Sequence, residues 1–312
     1  MSAPLPAKDG VGPSALWLPP GGWKTVLEFL THHFADIDAA IWTTRMAKGE
    51  VVDERGTALS PDCPYRSGAR IYYYREIDGE ARIPFEETIL YRDDHILVVD
   101  KPHFLPVVPA GRFLQETLLV RLKRKLQLDF LVPIHRIDRE TAGIVLLSIQ
   151  PRSRGAYQSL FQRREVRKTY EAIARALPGA SFPMTRRSRL VPGDPFFRMT
   201  ETDGEPNTET HIDVLQADGD RVLYQLTPVT GRKHQLRVHM ASLGIPIIND
   251  SFYPELKPAN DADFSRPLQL LAKAIAFTDP LTGAARRFES PRTLSLSARP
   301  AQGSGAIDAT AR

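Results

Sequence analysis

The chain has 312 residues, of which 42% are hydrophobic and 25% are charged, and its formal net charge is +4. These values are typical of globular proteins and leave room for two domains. The single cysteine, Cys63, excludes an internal disulfide framework and any multi-cysteine zinc or iron–sulfur site. No stretch approaches about 18 consecutive apolar residues, and the Pro-, Gly- and Ala-rich start lacks the pattern of a secretory signal. We therefore expect a cytoplasmic protein with no membrane association.

The charges are unevenly distributed along the chain. Residues 1–90 carry 9 basic and 13 acidic side chains, whereas residues 91–312 carry 32 and 24. Dense basic runs occur at 121–125, between 152 and 168, and at 186–189. Each run alone is equally compatible with a solvated helix face. Three runs in one net-basic part favour a polyphosphate partner, and we expect that partner to be RNA.

The first 80 residues contain a short series of predicted elements. Apolar residues recur at helical spacing in 23–30 and 39–46, and 49–53 and 70–75 are typical of short strands. A change in composition near residues 78–88, with Gly79 and Pro84, marks a domain boundary. We predict a small α/β module at 19–80, preceded by a flexible N-terminus at 1–18.

After the boundary the chain shows a hairpin pattern. An acidic turn at 93–94 separates two apolar strands, and the second strand ends at Lys101 and Pro102. Further along, residues 133–143 place a carboxylate, Asp138, between Arg136 and Arg139, just before an apolar strand at 144–147. A carboxylate beside guanidinium groups stays ionised, so it can act as a nucleophile or base but is poorly suited to donate a proton. For this pattern alone, a surface ion pair is the commoner explanation.

Four segments in one order together resemble the RluA-type pseudouridine synthases. They are the hairpin ending in Lys101 and Pro102, the string 135–143 that reads HRIDRETAG, the Lys-x-Tyr element beginning at Lys168, and the string 230–240 that reads TGRKHQLRVHM. The resemblance implies an α+β pseudouridine synthase fold with a mixed, mostly antiparallel sheet at 85–298, followed by a disordered tail at 299–312. The segment 19–80 is similar to the small ribosomal-protein-like RNA-binding module that precedes many such enzymes, and a packing or spacer role is an equal alternative.

The resemblance also implies a reaction. Such an enzyme would isomerise specific uridines of structured RNA to pseudouridine, with ribosomal RNA favoured and transfer RNA as the other candidate. No cofactor and no metal would be needed, and we expect a monomer. Asp138 would be the essential carboxylate, acting either by attack on C1′ or the base or by removal of the C2′ proton.

The other site residues are assigned by the same resemblance. Arg136 would help to occupy the position that the flipped base vacates, Tyr170 would stack on the target base, and Arg237 would form an ion pair with Asp138. Supporting substrate contacts are expected from His135, Arg139, Thr141, Lys168, Arg232 and His234. Gly231, Arg232, His234 and His239 are expected to be supportive, as strand and turn elements or as phosphate contacts, and for both histidines a structural role is favoured over catalysis.

Two other classes of function fit parts of the pattern. His135, Asp138, His234 and His239 could be the ligands of a metal-dependent phosphodiesterase, because imidazole and carboxylate are common metal donors. Against this, the neighbouring arginines would crowd positive charge around a cation. The second alternative is a non-catalytic RNA-binding or ribosome-assembly factor on the same scaffold, which the intact Asp138 disfavours.

Overall fold

The computed structural model describes residues 3–77, 79–258 and 263–296, and these form two compact units. The first unit comprises the described residues up to 82 together with 108–129, and the second comprises 83–107 and those from 130 onward. This division differs from the predicted domains, 19–80 and 85–298, because residues 108–129 group with the N-terminal part. The predicted tail at 299–312 lies outside the described residues.

The first unit contains a three-stranded antiparallel sheet and three helices. The strands are β1 (Ser14–Trp17), β2 (Val51–Asp53) and β3 (Arg70–Tyr73), in the order β1-β3-β2. The helices are α1 (Val26–His33), α2 (Ala39–Ala47) and α3 (Leu118–Leu126). The side chains of Thr25, Asp38 and Thr117 cap the three helices, and such caps satisfy backbone N–H groups that a helix start leaves unpaired.

The predicted helices and strands of residues 23–75 are confirmed, with Trp42, Phe29 and Val51 in their common core. The N-terminal segment that was predicted to be flexible, 1–18, contains a strand. Residues Ser14–Trp17 form β1, which pairs with β3. The likeness of this unit to an RNA-binding module stays a prediction.

The second unit is built on one mixed sheet. Its strands are β4 (Thr88–Arg92), β5 (Ile96–Lys101), β6 (Val132–Pro133), β7 (Ala142–Ser148), β8 (Arg167–Arg175), β9 (Met184–Pro192), β10 (Met199–Thr202), β11 (Thr208–Asp218), β12 (Arg221–Pro228), β13 (Leu270–Thr278) and β14 (Ala285–Glu289). The strand order is β10-β9-β11-β12-β8-β13-β7-β5-β4, with β14 beside β13 and β6 beside β7. Among these pairs only β7 and β13 run parallel. The predicted α+β class with a mostly antiparallel sheet is confirmed.

Two helices cover parts of this sheet. The helix α4 (Pro151–Gln162) contributes Tyr157 and Leu160 to a core with β5, β7 and β13. The helix α5 (Gln235–Ser242) contributes Leu236 and Met240 to a core with β8, β11 and β12. The expectation of strand and turn structure is wrong for His239, which lies in α5. Leu236 and Met240 are four residues apart and therefore share one helix face, which buries them both.

The connection between β6 and β7 carries the predicted catalytic motif. Gly143 has φ +111°, and a Cβ at this position would collide with the backbone of Ala272 on β13. Glycine is therefore required where β7 begins beside β13.

Among the described residues, none of the helices combines the length and the hydropathy of a membrane span.

Candidate active site

Asp138 lies in the turn between β6 and β7, with its side chain one quarter (25%) exposed. The N–H of Thr141 donates to the carbonyl of Asp138 at 3.2 Å and closes the turn. The carboxylate faces two groups from the segment around α5. Nη1 of Arg237 lies 3.4 Å from Oδ2, and Nε2 of His234 lies 3.8 Å from Oδ1. The predicted ion pair between Asp138 and Arg237 is thus present, and one side of the carboxylate remains open to solvent.

Arg237 is almost fully buried, at 1% exposure, and contacts three carboxylates. Asp250 accepts from Nε at 2.8 Å and from Nη2 at 2.7 Å. Nη1 lies 3.5 Å from Glu140, in addition to its contact with Asp138. Burial alone would lower the pKa of Arg237, but the hydrogen bonds and charge of Asp250, with Asp138 and Glu140, raise it above its usual range. The guanidinium is therefore a permanent positive charge aimed at Asp138.

Asp250 was not among the residues predicted from sequence. It is buried, and besides Arg237 it accepts from the N–H groups of Phe252 and Tyr253 at 2.8 and 3.1 Å. The rings of Phe252 and Tyr253 lie 4.7 and 5.6 Å from the guanidinium carbon of Arg237. Such contacts stabilise a cation that burial has desolvated. The pairing is 13 residues apart in sequence and no local pattern indicated it.

His234 is held beside Asp138 by its backbone and by one hydrogen bond. It immediately precedes α5 with φ +55°, and its Nδ1 lies 2.9 Å from the hydroxyl of Tyr253. Burial lowers the pKa of His234 to about 4, although the charge of Asp138 acts in the opposite direction. The imidazole is therefore neutral near pH 7 and adds little positive charge to the site.

Lys101 is a second residue that sequence reasoning did not assign to the site. Its ammonium donates to the carbonyls of Leu105 at 2.7 Å, Pro102 at 2.9 Å and Arg139 at 3.0 Å. Burial lowers its pKa to about 7, while the charges of Glu140 and Asp138 act to raise it. Lys101 thus connects the end of β5 to the backbone of the turn that carries Asp138.

Tyr170 stands on β8 and packs against the core formed by β8, β11 and β12. Burial, and then the charge of Asp138, raise the pKa of Tyr170 above its ordinary value. Its phenol is therefore protonated at neutral pH. An aromatic ring close enough to Asp138 to sense its charge can form one wall of a base-binding site.

The supporting residues separate into buried and exposed groups. His135 accepts from the N–H of Leu146 at 3.1 Å, stacks on Phe161 at 4.8 Å, and has its pKa lowered to about 3 by burial. Lys168 donates to the carbonyl of Thr230 at 3.1 Å, and burial lowers its pKa. These contacts indicate structural roles for His135 and Lys168.

Four other predicted residues have different surroundings. Thr141 is buried, and Nε of Arg139 lies 3.5 Å from Glu140. Arg136 and Arg232 are exposed, and neither forms a side-chain hydrogen bond or ion pair with the described residues. Both guanidinium groups are therefore free to contact a ligand from solvent.

The metal-ligand set suggested by the sequence is not assembled. His135 uses Nε2 to accept from the backbone, and both nitrogens of His239 lie within 3.1 Å of hydroxyl groups of Ser188, Thr208 and Thr210. Of the three histidines, only His234 lies beside Asp138. Within the part of the chain that the structure describes, no group of three or more His, Cys, Asp or Glu side chains could hold a metal ion.

Comparisons with known proteins agree with this geometry. A family model described as RNA pseudouridylate synthase matches residues 95–242. The dual-specificity RNA pseudouridine synthase RluA of Escherichia coli K12 is 32% identical over 213 residues, which are 65% of this chain and 92% of that protein. The mitochondrial tRNA pseudouridine(32) synthase of Saccharomyces cerevisiae is 32% identical over 172 residues, 53% of this chain and 36% of that protein. Among solved structures, human RNA pseudouridylate synthase domain containing 1 is 25% identical with a TM-score of 0.55, covering 66% of this chain and 84% of its own.

The chain belongs to the RNA pseudouridylate synthase family. The buried arginine that faces a partly exposed aspartate lies within the matched segment. Within the family the chain is an RluA-type pseudouridine synthase, an isomerase that acts on RNA.

Proposed function

We propose that this isomerase converts specific uridines of structured RNA to pseudouridine, with Asp138 as the essential carboxylate. The observation that carries the proposal is the 3.4 Å approach of the buried Arg237 to a carboxylate that remains partly open to solvent. A fixed positive charge beside Asp138 holds the carboxylate in place for reaction.

The proposed reaction breaks the bond between ribose C1′ and uracil N1 and joins C1′ to C5 of the same base. The hydrogen of C5 leaves as a proton and N1 gains one, so substrate and product are isomers and no oxidant or energy source is consumed. The chain must supply an ionised group at the sugar or base, a surface that holds the detached uracil, and a way to extract the uridine from its stack.

Three residues are proposed to fill these roles. Asp138 is the reacting carboxylate. Tyr170, a neutral phenol beside it, stacks on the uracil and holds it while it turns. Arg136, which is exposed, fills the space that the flipped base leaves, since a planar guanidinium can stack on neighbouring bases as lysine cannot.

The proposed substrate is ribosomal RNA, with transfer RNA as the second candidate. The basic runs of the sequence and the N-terminal unit favour a large structured RNA. The dual specificity in the name of the E. coli relative and the transfer RNA in the name of the yeast relative support the second candidate. Exposed phosphates and unpaired loops are features that both RNAs offer.

The test uses total RNA labelled with [5-³H]uridine in a strain that lacks this protein. Isomerisation releases the C5 hydrogen to water, so tritium release measures turnover whichever uridine is modified. Ribosomal and transfer RNA are separated and assayed in parallel, and carbodiimide treatment with primer extension then locates the modified uridine. We expect release from ribosomal RNA with the wild-type protein and none with Asp138→Ala.

The matched control is Asp94→Ala, which removes an exposed carboxylate from the turn between β4 and β5, at the opposite end of β5 from Lys101. This variant is expected to keep wild-type turnover. Release from transfer RNA alone would replace ribosomal RNA by the second candidate. Absence of release from both RNAs with wild-type protein would refute the proposed function and favour the non-catalytic factor.

A further inference from the structure

The loop between β9 and β10, residues 193–198, presents an exposed aromatic side chain close to the candidate active site. Phe196 is 86% exposed, higher than the other large hydrophobic residues of the described chain. An isolated exposed apolar residue needs no explanation by itself. Phe196 differs from such a residue because its loop is held at both ends and contacts the groups around Asp138.

The loop is held in place at both ends. The N–H of Gly193 donates to the carbonyl of Arg198 at 3.1 Å, and the N–H of Arg198 donates to Pro195 at 2.8 Å. The guanidinium of Arg198 donates to the carbonyl of Pro254 at 2.7 Å and lies 5.0 Å from the ring of Tyr253. These contacts fix the backbone of the loop while leaving the ring of Phe196 in solvent, so little conformational freedom remains to be lost when a ligand binds.

The same loop is connected to the groups around Asp138. The hydroxyl of Tyr253 accepts from the N–H of Met199 at 2.8 Å and also bonds to His234. A series of ring contacts runs from Phe196 to Phe197 at 5.7 Å and from Phe197 to Phe252 at 5.5 Å. Phe252 in turn covers Arg237 at 4.7 Å. Phe196 is therefore three contacts away from the arginine that pairs with the catalytic carboxylate.

Positive charge lies next to His234, which the loop reaches through Tyr253. Arg232 and Lys233, just before His234, are exposed. Asp194 is the one acidic residue of the loop itself. An exposed aromatic ring among basic side chains is the combination with which proteins bind single-stranded nucleic acid, since bases stack on the ring and cations contact the phosphates.

We propose that Phe196 stacks on an unpaired base of the RNA, in the nucleotides that flank the flipped uridine, and so contributes to the choice of target. This inference rests on the proposed function. It adds a contact outside the catalytic motifs, in a loop that none of the sequence motifs includes. Because every base has an aromatic face, the contact selects an unpaired, accessible base rather than a particular one.

The first arm of the test measures tritium release from the [5-³H]uridine-labelled RNA by Phe196→Leu and Phe196→Trp. Leucine keeps an apolar side chain but cannot stack, and we expect kcat/KM to fall by about 5- to 150-fold, mainly through KM, the range of one lost base stack. Tryptophan is expected to restore wild-type kcat/KM. The matched control is Phe130→Leu, since Phe130 is 67% exposed and precedes β6, which pairs with the far end of β7 from Asp138.

The second arm measures contact directly and does not depend on turnover. The natural tryptophans, Trp17, Trp23 and Trp42, all lie in the first unit. Phe196→Trp and Phe130→Trp are each introduced into the Asp138→Ala protein. The two double variants are then titrated with unlabelled RNA from the same strain. Stacking is expected to quench the fluorescence added at position 196 and to leave that added at position 130 unchanged.

The outcomes separate this inference from the proposed function. Wild-type kcat/KM in Phe196→Leu, or equal quenching at positions 196 and 130, would overturn the inference while tritium release by wild-type protein upheld the proposed function. Absence of tritium release by wild-type protein would refute the proposed function, and the fluorescence arm would still decide whether Phe196 contacts RNA.

Discussion

Arg237 and Asp250 are joined by two parallel hydrogen bonds, Nε to Oδ2 at 2.8 Å and Nη2 to Oδ1 at 2.7 Å. This pairing uses one edge of the guanidinium and leaves Nη1 to face Asp138 and Glu140. Asp250 therefore fixes the direction in which the positive charge points. A lysine would be held by one point only and could not be oriented in this way.

Asp250→Asn should reduce both stability and turnover. The amide nitrogen of asparagine cannot accept from a guanidinium, so the buried Arg237 loses one of its two short bonds. We expect the free energy of unfolding to fall by about 3 kcal/mol, measured by urea denaturation, and kcat/KM for tritium release to fall more than tenfold. The control is Glu140→Gln, which weakens two longer contacts, each of 3.5 Å, with Arg237 and Arg139. Equal effects of the two substitutions would contradict the orienting role of Asp250.

Gly143→Ala should disturb the start of β7. The left-handed φ of Gly143 and the carbonyl of Ala272 leave no room for a methyl group. We expect a loss of about 2 kcal/mol or more in the free energy of unfolding, with a further loss of turnover because Asp138 lies five residues before Gly143. Gly155→Ala is the matched control. It lies in α4 with nothing near the added methyl group and should stabilise the protein by about 0.5–1 kcal/mol. A tolerated Gly143→Ala would argue against the close approach to β13.

Lys101→Met should affect turnover through the position of Asp138. Methionine fills a similar volume but leaves three carbonyls without their donor, including that of Arg139 in the turn that carries Asp138. We expect kcat to fall at least tenfold while KM changes little, because the substrate-binding surface is not altered. Lys273→Met is the control, since Lys273 also donates to two carbonyls, those of Ser290 and Arg292, which lie outside the turn that carries Asp138. An unchanged kcat in Lys101→Met would show that the turn holds its conformation unaided.

Acid should destabilise the protein through its buried histidines. Burial lowers the pKa of His239 to about 4, below its ordinary value of 6.5, and His103 and His234 are shifted in the same direction to about 4. Between these pH values the unfolded chain binds protons that the folded chain does not, so stability is present above pH 6.5 and is lost as the pH falls toward 4. Each histidine contributes a slope of up to about 1.4 kcal/mol per pH unit. His239→Gln should flatten the dependence measured by denaturation at a series of pH values, and an identical slope would contradict this account.

Arg136→Ala should reduce turnover without changing stability. Its side chain is exposed and forms no hydrogen bond or ion pair with the described residues. We expect kcat/KM to fall by at least tenfold, and Arg136→Lys to recover only part of it, because lysine lacks the planar surface that stacks on bases. Arg92→Ala, which removes an exposed arginine from β4 and lies outside the three basic runs, is the control. Full recovery by lysine would indicate a purely electrostatic role.

Local patterns predicted part of the large sheet and most elements of the N-terminal unit. Apolar runs and turn residues were sufficient for β4, β5 and β7, and helical spacing was sufficient for α1 and α2. The helix α5 was missed because HQLRVHM alternates as a strand would, and its helical form depends on burial of Leu236 and Met240 against three strands. The grouping of residues 108–129 with the N-terminal part was missed because it depends on contacts such as that of Val120 with Val11, more than 100 residues away.

The candidate site was predicted only in part, because local patterns do not reveal contacts between residues that are distant in the sequence. The motif placed Asp138, Tyr170 and Arg237 near one another, and the structure confirms that Arg237 contacts Asp138. Asp250 was missed because its partner is the guanidinium of Arg237, and Lys101 was missed because its partners are backbone carbonyls. Neither kind of contact produces a recognisable spacing in the sequence. His135 and Lys168 were expected at the substrate, whereas their observed partners are the chain's own backbone.

The parallel pairing of β7 with β13 involves only two residue pairs, Leu271 with Ala142 and Ala272 with Gly143. It is a short seam between two antiparallel parts of the sheet, and the core that contains Ile144 of β7 also takes in Ile275 of β13. Asp138 lies on the β7 side of the seam, and Arg237 and Asp250 lie on the side of β13 and β8. Asp138 and Arg237 therefore meet only when both parts of the sheet have folded and paired. A local opening of the seam, visible as early hydrogen exchange at the first residues of β7, would separate Asp138 from Arg237.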